Sequence, residues 1–177
     1  KYNGKLLIKP SAESIKSLLR KVRAVIKGNK SASAGNLICH LNPLIRGWAM
    51  YHRHVVSAKV FQSVDHAIFQ SLWRWAKRRH PNKGVRWVKA RYFHPVDERH
   101  WVFSGKVQGL KGQPQPVHLF TAHSLPIIRH TKINSQVNPY DPRWELYLEQ
   151  HQGLKMAASL KGRRTLLYLW KRQDGRC

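Results

Sequence analysis

The sequence predicts a mainly α protein: a three-helix bundle with a short N-terminal strand, followed by a small mixed α+β module. Three observations carry this. Apolar residues recur at spacings of three and four in three successive segments between residues 11 and 79. Each segment follows a serine, Ser11, Ser33 or Ser57, of the kind that caps helix N-termini. Beyond them, Gly, Pro and polar residues collect from His94 to Pro116, so the domains expected are 1–93, a linker over 94–116, and 117–177.

Residues 2–9, YNGKLLIK, have the apolar density of a short strand after an Asn-Gly turn, and Pro10 ends it. Ser11 then opens a helix with Glu13 in its first turn, where negative charge suits the helix dipole. Its buried stripe is Ile15, Leu18, Leu19, Val22, Val25 and Ile26, and Gly28 stops it. The second helix runs from Ser33 to about Val56 on Leu37, Leu41, Leu44, Ile45, Trp48, Tyr51 and Val55; Pro43 either kinks it or marks a helix start. The third follows Ser57 on Phe61, Val64, Ile68, Leu72 and Trp75, and ends at the cationic run before Pro81 and Gly84. Residues 85–93 read as a short strand or extended bridge, and 117–133 as mixed strand and turn. Asp141 and Pro142 announce a helix start, and residues 162–175 a final basic helix.

Charge narrows the partner. The chain carries 33 Lys and Arg against 8 Asp and Glu, a formal net charge of +25. Residues 1–96 hold 20 of those cations and only Glu13 and Asp65, whereas residues 97–177 hold 13 against six acids. Two acids cannot neutralise the first half internally, so it is built to meet a polyanion. No apolar run approaches the roughly 20 residues that cross a bilayer, and no secretory signal is visible. Cys39 and Cys177 lie far apart, which points to a reducing compartment rather than a disulfide framework.

Basic residues interleaved with aromatics suit phosphate contact and base stacking. The RNA-binding set expected is Lys16, Arg20, Arg23, Lys27, Lys30, Arg46, Arg53, Trp73, Arg74, Lys77, Arg78, Arg79, Lys83 and Arg86. Trp48, Tyr51 and Trp75 fall on apolar stripes and read as core; Trp73 falls off its stripe and reads as a contact. Gly47 offers room for close backbone approach by a partner. Eleven histidines include the pairs His52/His54 and His118/His123, yet no His-Glu-x-x-His or Cys-x-x-Cys spacing occurs, so no metal site is expected within the chain. Cys177 alone cannot complete a zinc site. No Asp-Asp pair or phosphate-binding loop holds magnesium, Asp97-Glu98 reads as a solvated pair, and no catalytic residue or cofactor is assigned.

LNPLIRGWAMYHRH (41–54), FQSVDHAIFQSLWRWAKRRHPNKG (61–84) and RWVKARYF (86–93) together resemble the thumb, or X domain, of group II intron-encoded reverse transcriptase/maturases. YDPRWELYLEQ (140–150) and KMAASLKGRRTLLYLWKRQDGRC (155–177) are similar to that family's DNA-binding region and its entry into an HNH endonuclease domain. The resemblance implies a thumb that grips intron RNA, assists splicing and supports insertion into a DNA target site. It implies an upstream fingers and palm region, with Mg2+ serving that polymerase and the intron RNA, in a bacterial cytoplasm or an organelle. For DNA contact it leaves Arg129, Lys132, Lys161, Arg163, Arg164, Lys171 and Arg172. The polymerase Tyr-x-Asp-Asp motif is absent from these residues, and the endonuclease cysteines and His-Asn residues are expected beyond Cys177. The rival readings are a stand-alone helical DNA-binding module and a fragment of an HNH nuclease.

Overall fold

A computed structural model describes residues 7–109, 112–128, 133–159, 168–169 and 171–173. The chain forms two compact units, residues 1–129 and 130–177.

Three helices make the body of the first unit. α1 spans Ala12–Gly28 and is capped by Ser11, whose hydroxyl accepts from the Ser14 amide at 3.2 Å. α2 spans Ala34–His52, capped in the same way by Ser33, and continues past Pro43 in its interior. It ends at His52, short of the expected Val56. α3 spans Ala58–Arg79; Ser57 occupies its N-cap but gives its hydroxyl to the Val55 carbonyl instead. The stripes interlock as their periods require, with Leu18, Val22 and Ile26 meeting Leu37, Leu41, Ile45, Phe61, Ile68 and Leu72 in one core.

Ser14 joins two helices with a polar contact inside this packing. Its hydroxyl accepts from Trp48 Nε1 at 3.0 Å and lies 3.0 Å from His52 Nε2. Ser14 donating its own hydrogen suits a neutral His52 ring, and burial holds the His52 pKa below its ordinary value. The sign follows. Below about pH 6.5 the unfolded chain takes up a proton that the folded ring resists, so this contribution is intact above that pH and is lost as pH falls through the folded value. Ser14→Ala strands both ring nitrogens, and chemical denaturation should show a loss of about 1–3 kcal/mol. An unchanged midpoint would remove the role given to Ser14.

Two stretches fold differently from the sequence reading. Residues 85–93 form a helix, α4 (Val85–Tyr92), not a strand. The β-branched and aromatic content suggests a strand, but Val88 and Tyr92 are buried while Ala90 is exposed; a strand would put all three on one face, whereas a helix separates Ala90 from the other two. The expected linker is an antiparallel sheet of β1 (Phe93–Val96), β2 (Arg99–Gln108) and β3 (Pro114–His118), in that spatial order. Asp97, at φ 52°, turns the first hairpin, a left-handed position that Asp tolerates better than most residues. Gly112, at φ 71°, serves the second. The expected N-terminal strand lies largely outside the described residues, and Leu7–Pro10 carries no strand.

β2 lies against α2, and helix side chains hold the chain that leaves β3. Asn42 donates to the His118 carbonyl at 3.0 Å and accepts from the Phe120 amide at 2.8 Å. Asp65 accepts from the amides of Ala122 and His123, both at 2.9 Å, at a short 3-10 turn. Desolvation nevertheless pushes the Asp65 pKa up, ahead of the opposing pull of those amides.

In the second unit, Asp141 caps a 3-10 turn with Pro142 at its first position, as its sequence announces, and α5 (Glu145–Ser159) follows. Tyr147 takes the Asn134 amide on its hydroxyl at 2.9 Å and packs edge-on against Trp144.

Candidate nucleic-acid interface

The charge pattern becomes geometry between α1 and α3. Arg23 and Lys27 lie four residues apart on α1, as do Arg74 and Arg78 on α3, so each pair shares one helix face. The two faces flank a cavity of about 520 Å³ floored by Ile26 and Trp75. Lys30 and Arg79 complete its cationic rim, and among the described residues no carboxylate lines it. Six of the fourteen residues expected to bind RNA are thereby brought to one concave site.

Arg79 stands apart from the other five. Its guanidinium donates to the carbonyls of Lys30 (3.4 Å), Ser31 (3.0 Å) and Ala32, and sits 5.1 Å from the Trp75 ring centre. Trp75 in turn donates through Nε1 to the Asn29 carbonyl at 3.1 Å. Arg79 therefore has a structural part to play besides lining the groove: it holds the 29–32 loop to α3 and shapes the cavity. It also borders a second cavity of about 420 Å³ at the N-terminus of α2, beside Arg91, His94, Lys106 and His118. Sequence reasoning missed this grouping because two of them, His94 and Lys106, lie in the expected linker, while Arg91 and His118 flank it.

The other expected residues are dispersed. Arg20 pairs with Glu13 at 3.5 Å on an exposed face, and Lys16 and Lys77 are exposed. Arg46 lies over Phe120 and Lys83 over Trp87, at 5.1 and 5.7 Å from the ring centres, while Arg86 is exposed. Arg53 is half-buried, and its Nε has no hydrogen-bond partner among the described residues. Two aromatics exchange roles. Trp73 packs against Phe69, Phe93 and Trp101 at 5.3–6.2 Å, because the unexpected sheet supplies partners for its side of α3. Tyr51 lies near the end of α2 and is 79% exposed among the described residues. Trp48 and Trp75 pack as expected.

Of the expected DNA contacts, Lys171 and Arg172 are exposed; Arg129, Lys132, Lys161, Arg163 and Arg164 lie outside the described residues, as does Cys177. Among the described residues no group of His, Cys, Asp and Glu is arranged to hold a metal ion, and no helix is long and apolar enough to cross a membrane.

Residues 15–93, which contain this basic groove, match the family described as group II intron, maturase-specific domain. That segment belongs to the group II intron maturase family. The matched segment starts within α1, takes in α2 to α4 and ends where β1 begins; a maturase domain supports an intron-splicing function and implies group II intron RNA as partner. A search of curated proteins found no match to the chain.

Proposed function

We propose that the α1–α3 groove is the surface by which this maturase domain holds intron RNA, acting as the thumb of a larger reverse transcriptase. The observation that carries the reading is the convergence of six cations, without a carboxylate, on one cavity. A groove of guanidinium and ammonium groups follows the phosphate backbone of a folded RNA and reads shape rather than base edges. Chemistry in this arrangement stays with the RNA and its Mg2+; the protein supplies position and charge neutralisation. The second unit is the part assigned to a DNA target, and with it a role in intron mobility.

Binding of the full chain to a group II intron RNA over a salt series tests the groove. Each phosphate contact contributes about 0.7–0.9 to the slope of log affinity against log salt. Arg23→Ala, Lys27→Ala and Arg78→Ala together should flatten that slope by roughly two units. Removing the exposed Lys9, Lys21 and Lys59, which line neither cavity, should change it far less. Equal effects of the two sets would refute the groove assignment, and equal competition by duplex DNA would favour a general polyanion binder.

A further inference from the structure

The maturase family match ends at residue 93, yet the sheet that follows it closes a cleft of about 390 Å³ against α3. The floor of the cleft is apolar, formed by Phe69, Leu72 and Phe103, and its mouth carries Arg99 and His100. Trp101 stands at its edge on β2 with 44% of its surface exposed. Phe69, Trp73 and Phe93 fix the indole in place at 5.9–6.2 Å. The Lys89 ammonium lies 4.4 Å from its ring centre.

We infer that this cleft is a binding site for a single unpaired nucleobase of the bound RNA, stacked against Trp101. The inference rests on the RNA-binding reading above and adds to it a second, chemically different contact. A rigid, solvent-reachable indole beside an apolar slot takes a flat heterocycle, and every base has such a face. Bases inside a duplex are covered by their neighbours, so the cleft selects loops, bulges and strand ends. The charges agree. Lys89, Arg99 and His100 surround the opening, ready for the phosphates of the inserted nucleotide. The one lining carboxylate among the described residues, Asp65, is already taken up by the amides of Ala122 and His123. Lys89 sits over the ring by a cation–π contact with an exposed side chain, which a base can displace at small cost.

The test uses the full chain with a short single-stranded RNA and, separately, a blunt-ended, fully paired RNA duplex. Trp101→Ala should weaken single-strand binding by roughly 5- to 150-fold, the range for loss of one base stacked on an aromatic ring. Its salt slope should stay unchanged, duplex affinity should hold, and Trp101→Phe should restore most of the loss. In the wild-type chain, a photoreactive base in the single strand should cross-link within residues 99–103, a readout that needs no variant to fold. Cross-links confined elsewhere would overturn the inference. So would equal losses for single strand and duplex, or unchanged affinity in both Trp101 variants, which would leave the cleft to a protein partner. The groove variants are read by slope and Trp101 by strand preference, so either assignment can fail while the other stands.

Discussion

Gly35→Ala is expected to cost about 3 kcal/mol or more and to pull β2 away from α2. The helix and the strand meet here backbone to backbone. A Cβ built on Gly35 would overlap the Lys106 carbonyl oxygen, with the carbonyl carbon at 2.6 Å and Val107 Cγ1 at 2.8 Å. A Cβ on Gly105 would strike the Gly35 amide, with the Ala34 carbonyl carbon at 2.7 Å. Real Cβ atoms do not approach other atoms within 3.0 Å, and neither obstacle is a flexible side-chain end that can swing aside. The strain must therefore move an element. Gly47 supplies the control, since a Cβ there meets nothing within 4 Å in the middle of the same helix. Gly47→Ala should stabilise by about 0.5–1 kcal/mol through lost freedom of the unfolded chain. Urea denaturation of the three variants decides the point. Gly35→Ala and Gly105→Ala melting like wild type would mean that the helix–strand contact is not made.

The glycine contact shows where sequence reasoning stops. Periodicity found α1, α2 and α3 because each buries one face against the other two, and a buried face repeats every 3.6 residues. Capping chemistry found their starts at Ser11 and Ser33, where the hydroxyl accepts an amide hydrogen. The sheet escaped because its partner surface belongs to α2. Gly105 and the exposed Lys106 mark a loop by composition, and only the opposing Gly35 explains why a strand passes there. Trp73 was misplaced for the same reason: its partners Phe93 and Trp101 come from strands that the reading did not contain. Asp65 gave no signal, since the amides that it holds lie 57 and 58 residues further on. The basic groove was legible in parts. Spacing put Arg23 with Lys27 and Arg74 with Arg78, but facing the two pairs across one cavity takes the packing of α1 on α3.

Adjacent arginines should behave oppositely when each is replaced by alanine. Arg78 is exposed at the rim of the groove. Arg78→Ala should leave stability within about 0.5 kcal/mol and flatten the RNA salt slope by about 0.7–0.9. Arg79→Ala should instead destabilise the first unit by about 2–4 kcal/mol, because three backbone carbonyls lose a charged donor. The cost stays below the full sum of three charged hydrogen bonds, since the freed Lys30 and Ser31 carbonyls can be hydrated. Arg79→Lys should recover little: one ammonium group cannot reproduce a planar fork that spans three successive carbonyls and stacks on Trp75. RNA binding by Arg79→Ala should weaken too, but through the loop. With residues 29–32 released, Lys30 no longer sits opposite Arg74 and Arg78, so the groove loses its shape as well as a charge. Thermal melts beside salt titrations separate the cases. A melting temperature unchanged in Arg79→Ala, with the slope reduced as in Arg78→Ala, would return Arg79 to the phosphate-binding set and make the loop carbonyls incidental.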